Sequence, residues 1–311
     1  MIFKIGTRGS KLALAQSQWV KKRIETKYPH IHVELVKIKT TGDKILNSPL
    51  SKIGGKGLFV KEIEEALIRE EIDVAVHSMK DVPARLPVAL TLSTFPERED
   101  PRDALISIGD RTLEELPQGS GVGTCSLRRA AQLLHLRPDL NMVPLRGNIE
   151  TRLRKLRSGD LQAIILATAG IKRLGLATNI TQVISPEQIL PAIGQGALGL
   201  EVRRDDENTI NLLDFLNHKK TEVTIRAERA FLNELEGGCQ VPIAAFARLN
   251  GKNLRLEGMV AELDGSKIIR DELSGEKDRA EEIGIELARR LLNSGADKIL
   301  KRIYGNEQLK H

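Results

Sequence analysis

Apolar and polar positions along the first 95 residues switch between period two and helical spacing. Residues 2–8, IFKIGTR, predict a strand. Ser10 then offers an N-cap to a helix over 11–28, where Leu12, Ala15, Trp19 and Ile24 fall near one face. Residues 31–38, IHVELVKI, alternate as a half-buried strand, whereas 40–57 has no periodicity and reads as a loop. A helix over 58–70 leads into the buried strand 72–79, which ends at Lys80-Asp81-Val82-Pro83. Strands and helices in alternation predict a parallel α/β lobe.

The charged, proline-bearing PEREDPRD (96–103) breaks this pattern and predicts a crossing into a second α/β lobe. Its elements are a strand near 120–124, a helix over 126–136, a strand over 141–146, a helix over 149–158, a strand over 161–167 and a helix over 168–174. The Gly- and Pro-rich ILPAIGQGALGLEV (189–202) reads as a second crossing, back to the first lobe. From about 219 the texture changes. After a helix over 220–235, Asn250-Gly251, Asp264-Gly265 and Ser274-Gly275 punctuate three strand-like runs, an antiparallel meander closed by one or two helices from about 278. The expected domains are 1–97 with 195–217, then 98–194, then an α+β domain over 218–311.

The 311 residues bring ordinary soluble-protein hydrophobicity, and no apolar run long enough for a bilayer. Lys4, Arg8 and Lys11 interrupt the first apolar stretch, so no signal peptide is expected and the setting reads as cytosolic. Two cysteines neither make a disulfide framework nor fill a metal site, and none is expected. The net charge of +6 is equalled by residues 122–157 alone, with eight basic against two acidic side chains. Such clustering implies an anionic partner. Nucleic acid is disfavoured because the segment has no aromatic residue on which a base could stack. A small molecule bearing several carboxylates or phosphates fits at least as well.

Thr124-Cys125-Ser126-Leu127-Arg128-Arg129 sits where a strand turns into a helix, so unpaired N–H groups, hydroxyls and guanidiniums converge on one anion site. Arg146 and Arg152 approach the same strand-end face, where α/β sheets bind ligands. In His77-Ser78-Met79-Lys80-Asp81 a carboxylate ends a buried strand; it could stabilise a developing cation, or pair structurally with a neighbouring base. GGKG (54–57) lacks the Ser or Thr of a P-loop and is a surface turn or a lid whose Lys52 and Lys56 meet an anion. GQGALG (194–199) matches a dinucleotide motif only formally, since Pro191 precedes it and a strand follows. Gly237-Gly238-Cys239 leaves a thiol either buried and inert or held out for modification.

These motifs together resemble the hydroxymethylbilane synthase, or porphobilinogen deaminase, family. The resemblance runs from IGTRGSKLALAQ through HSMKDVP, VGTCSLRR, LRGNIETRL and ATAGIKRLG to IGQGALGLE and GGCQVPIA. It implies two lobes like those of periplasmic binding proteins, with two crossings, plus a third domain. It also implies head-to-tail joining of four porphobilinogen molecules with loss of ammonia, then hydrolytic release of a linear tetrapyrrole, by a cytoplasmic monomer acting without membrane or nucleic acid.

The same resemblance implies a dipyrromethane cofactor, held by thioether to Cys239, and a catalytic carboxylate at Asp81. There Asp81 would contact pyrrole N–H groups and stabilise the azafulvene-like cation formed as ammonia leaves. Arg8, Ser10, Lys80, Thr124, Ser126, Arg128, Arg129, Arg146, Arg152 and Arg173 match positions that bind acetate and propionate groups. Lys52, Lys56 and Phe59 match the mobile loop, and Ser78 and Gln195 the cleft and hinge. Cys125 departs from the family, which commonly has Ser there, but leaves both flanking hydroxyls. The competing expectation is a two-lobed anion-binding module without catalysis.

Overall fold

The computed structural model describes residues 2–44, 60–235 and 241–308. The chain forms two compact units, Met1–Glu99 with Gly196–Glu222, and Asp100–Gln195 with Val223–His311. In chain order the first unit begins with β1 (Ile2–Thr7), α1 (Lys11–Lys27), β2 (His32–Lys37), the single turn α2 (Thr41–Lys44), α3 (Lys61–Ile68), β3 (Val74–Ser78) and β4 (Leu90–Thr94). The second holds β5 (Asp103–Ser107), β6 (Gly121–Gly123), α4 (Leu127–Leu136), β7 (Asn141–Val143), α5 (Ile149–Arg157), β8 (Ala163–Ala167), α6 (Thr168–Arg173) and β9 (Gln182–Val183). The chain returns to the first unit through β10 (Leu198–Arg203) and α7 (Glu207–Leu213). Next come α8 (Lys219–Glu234), β11 (Ile243–Asn250), β12 (Asn253–Ala261), β13 (Ile268–Glu276), α9 (Ala280–Leu291) and α10 (Asp297–Gln308).

The strand orders are β2-β1-β3-β10-β4, β7-β6-β8-β5-β9 and β11-β12-β13. Helix–strand alternation predicted parallel lobes, but both five-stranded sheets are mixed. β1 lies parallel to β2 and β3, while β10 runs antiparallel to β3 and β4. β6 lies parallel to β7 and β8, while β5 runs antiparallel to β8 and β9. The reversed strands are those that follow a crossing rather than a crossover helix, so no helix dictates their direction.

Apolar residues on both faces of each larger sheet close it into a core. In the first unit Val20 and Ile24 of α1 pack with Phe3, Ile5, Val74, Val76, Leu200 and Val202. The opposite face carries Ile63 and Leu67 of α3 against Ile72, Ala75 and Leu90. In the second unit Ala131 of α4 shares a buried cluster with Ala244, Met259 and Ala261, which joins the three-stranded sheet to β5–β9 in one compact unit. Phe231 of α8 and Leu287 of α9 cover that small sheet and are fully buried, each such side chain contributing about 1.5–3 kcal/mol.

Three local expectations need correcting. The buried stripe of α1 is Gln16, Ser17, Val20 and Ile24, and Trp19 is exposed with the Arg23 guanidinium over its ring. Polar Gln16 is drawn inward because it bonds Ser78. Ser274-Gly275 is not a turn: it lies inside β13, paired with Arg255 and Leu254, and Gly275 gives Ile283 of α9 room to pack. Asn250-Gly251 and Asp264-Gly265 do turn, both glycines having positive φ. Within 40–57, Thr41–Lys44 form a helical turn.

Candidate active site

Most of the sequence-predicted residues that are described lie at the carboxyl edges of the two larger sheets. In the first unit, parallel β1 and β3 end together, so Arg8, Ser10, Ser78, Lys80 and Asp81 share one edge. Ser10 caps α1 by accepting from Ala13 N at 3.2 Å. Asp81 is partly exposed at the end of a 3-10 turn, Met79–Asp81, that continues β3. The returning strand holds this turn. Met79 N donates to Ala197 O at 3.0 Å, and Gly199 of β10 leaves the space that the Met79 sulfur fills. On the other flank Gln16 Nε2 donates to Ser78 Oγ at 2.9 Å.

In the second unit Thr124 follows β6, Arg146 follows β7 and α6 follows β8. Ser126 caps α4, accepting from Arg129 N at 3.4 Å, while its own N–H donates to Thr124 Oγ1 at 3.1 Å. Asn148 caps α5 in the same way through Thr151 N, and Arg152 Nε donates to Gly147 O at 2.8 Å. Arg173 is the last residue of α6.

Arg128 and Arg129 are buried, because both engage Asp103 at the start of β5. Arg128 Nη2 lies 2.8 Å from Asp103 Oδ2, and its Nη1 donates to Leu190 O. Arg129 donates through Nε and Nη2 to Asp103 Oδ1, at 3.0 and 2.7 Å, and through Nη1 to Ile165 O. Gln195 Nε2 donates to the same Oδ1 and to Pro101 O. Burial works to raise the Asp103 pKa, yet the two guanidiniums prevail and hold it at about 2. One carboxylate facing two guanidiniums leaves a unit of positive charge in this group. The Arg152 pKa is lowered by burial, then by the nearby Arg129 and Arg146 charges, so the positive field reaches the half-buried Arg146 and Arg152. That field favours carboxylate ligands, and each charge-assisted bond contributes about 1.5–3 kcal/mol.

Asp103 escaped the sequence reading; its only signal is a lone acid opening the apolar run DALISI. Cys125 is free and exposed. Cys239, Lys52, Lys56 and Phe59 lie outside the described residues. Among the described residues no group of three or more His, Cys, Asp or Glu could hold a metal, and no helix is long and apolar enough to cross a membrane.

Residues 3–211 match the family profile described as porphobilinogen deaminase, dipyromethane cofactor binding domain, and 223–293 match the porphobilinogen deaminase C-terminal domain. The chain belongs to the porphobilinogen deaminase family. The porphobilinogen deaminase of Geobacter metallireducens is 55% identical over 304 residues, 98% of this chain and 95% of that one. That of Trichlorobacter lovleyi is 56% identical over 305 residues, 98% and 97% of the two chains. Among solved structures the methionine-binding protein MetQ gives a TM-score of 0.44 at 18% identity, covering 68% of this chain and 88% of that one. Membership in the porphobilinogen deaminase family leaves the binding-module alternative without support.

Proposed function

We propose that this protein is a hydroxymethylbilane synthase. It joins four porphobilinogen molecules head to tail, releasing ammonia at each addition, and then hydrolyses off the linear tetrapyrrole for haem and related pigments. The observation that carries this reading is the family match over 3–211 and 223–293, with 55% identity to a curated porphobilinogen deaminase across 98% of the chain.

The described donors fit a dipyrromethane cofactor, since Thr124, Ser126, Arg146 and Arg152 offer hydroxyls and guanidiniums to its carboxylates. When bound through Cys239, that group supplies the nucleophilic pyrrole carbon from which the product grows. Asp81, partly exposed at its sheet edge, accepts from the substrate pyrrole N–H and stabilises the positive charge that develops as ammonia departs. Arg8, Ser10, Lys80 and Arg173 bind acetate and propionate side chains. Arg128 and Arg129, tied to Asp103, act chiefly as a fixed positive field. Lys52, Lys56 and Phe59 contribute from the loop, and Ser78 and Gln195 hold the strand ends.

We read residues 98–194 and 218–311 as separate domains of a cytosolic monomer that uses neither membrane nor nucleic acid; the family resemblance supports this. The test is the intact mass of purified protein beside Cys239→Ser. An added mass of two porphobilinogen units less two ammonia, present only with Cys239, is the expected result. A chain that stays unmodified and inactive after incubation with porphobilinogen would overturn the reading.

A further inference from the structure

Glu64, His77 and Glu201 place three titratable side chains inside the apolar layer between α3 and the first sheet. The register sets Gly199 of β10 opposite His77 and Glu201 opposite Ala75. Ala75 packs with Ile63 and Leu67 of α3, so this face of β3 and β10 is the one that α3 covers. Relative exposures are 9% for Glu64, 5% for His77 and 0% for Glu201. His77 Nε2 and Glu201 Oε2 share a hydrogen bond of 2.9 Å. The other oxygen, Glu201 Oε1, and Glu64 Oε1 are both buried without a hydrogen-bond partner.

Orphaned acceptors in a dry layer are costly, and two carboxylates there repel each other. A proton on one removes a charge and turns an acceptor into a donor. Burial first, and then Glu201, push the Glu64 pKa up to about 7, against the opposing pull of His77. The other charged groups near this face are engaged elsewhere. Arg203 donates to Leu67 O and Ile72 O and pairs with Asp206, Glu62 accepts from Thr41 N, and Lys61 is exposed.

We propose that Glu64 holds a proton beside the buried His77–Glu201 pair and so seats the β3–β10 ladder, making Glu64 a positioning residue for the Asp81 turn. The path is short. His77 is followed by Ser78 and the Met79–Asp81 turn, and the same two strands provide the Met79 N to Ala197 O bond. This inference rests on the assignment of catalysis to Asp81.

The test compares the holoenzyme with its Glu64→Gln variant across about pH 5 to 9, reading kcat, KM and denaturant unfolding. Wild type is expected to lose stability as pH rises from about 4.5 to about 7, and kcat as pH passes about 7, at unchanged KM. Glu64→Gln should flatten the stability profile and move the alkaline fall of kcat upward by more than about one pH unit. Superimposable profiles would overturn the proposal. If the variant does not fold, infrared spectra of wild type decide. A carboxylic acid carbonyl band that fades as pH passes about 7 supports the proposal, and no such band overturns it. Asp81→Asn separates the two readings: retained turnover would remove the catalytic assignment while leaving the Glu64 titration of stability in place.

Discussion

Glu228 and Gly194 lie 34 positions apart, and the Glu228 carboxylate accepts from the Gly194 amide at 2.7 Å. Its other oxygen accepts from Ala247 N of β11 at 2.9 Å, and the side chain is fully buried. One residue of α8 therefore ties the Gly-rich segment to the small sheet within the second unit. Glu228→Ala orphans two buried donors and should cost about 2–5 kcal/mol in denaturant unfolding. A loss below about 1 kcal/mol would mean that neighbouring groups replace both bonds.

Asp103 holds Arg128 and Arg129, and its removal strands two buried guanidiniums. Asp103→Asn should cost about 3–5 kcal/mol. The pH dependence has a definite sign. Since folding lowers the Asp103 pKa from 3.8 to about 2, its contribution is fully present above about pH 4 and is lost as pH falls towards 2. That contribution is about 2 kcal/mol, so acid titration of unfolding should show a limb in wild type that Asp103→Asn lacks. Equal acid limbs in the two proteins would count against it.

Gly199 leaves no room for a side chain, because a Cβ there meets the Met79 sulfur and comes within 2.8 Å of Leu92 Cδ2. Gly199→Ala should cost about 1–3 kcal/mol and shift the turn that carries Asp81. Turnover should fall by more than the loss of folded protein accounts for, as read by kcat per folded molecule. Wild-type kcat with reduced stability would show that Met79 moves without disturbing Asp81.

Asp81 is partly exposed at the edge of its sheet, so its removal should spare the fold. Asp81→Ala is expected to keep stability within about 1 kcal/mol and to lose at least roughly 10²-fold in ammonia release. Activity within about threefold of wild type would sink the assignment.

Arg146 and Arg152 are half-buried members of the positive field. Arg146→Leu should leave the fold intact and stall growth of the bound product, seen as shorter covalent adducts by intact mass. A normal ladder of adducts would remove Arg146 from the binding set.

Much of the fold was legible because its signals are local. Ser10 caps its helix where the chain suggests, the helices expected over 126–136 and 149–158 form, and Asn250-Gly251 and Asp264-Gly265 turn as their chemistry demands. β4, β5, β9 and α7 were not read. β9 has two residues, β5 is a short apolar run behind a charged stretch, and β4 sits at a sheet edge. Strand direction was also hidden, because a crossing leaves no periodicity to announce it. For the site, the basic cluster and the Asp81 motif stood out in sequence, whereas its buried counter-charges did not. Asp103 meets Arg129 across 26 positions and Glu201 meets His77 across 124, so only folding discloses either pairing.

The order β2-β1-β3-β10-β4 has a consequence for biosynthesis. β10 fills the slot between β3 and β4, yet more than a hundred residues, including all of β5–β9, are translated before it. At about 5–20 residues per second, a nascent first lobe waits about 5–20 s with two inner strand edges open. Those edges are templates for pairing with another chain, so the emerging polypeptide passes through an aggregation-prone interval that the finished protein no longer has. The turn bearing Asp81, which leans on Ala197 and Gly199, is among the last parts of that lobe to take shape.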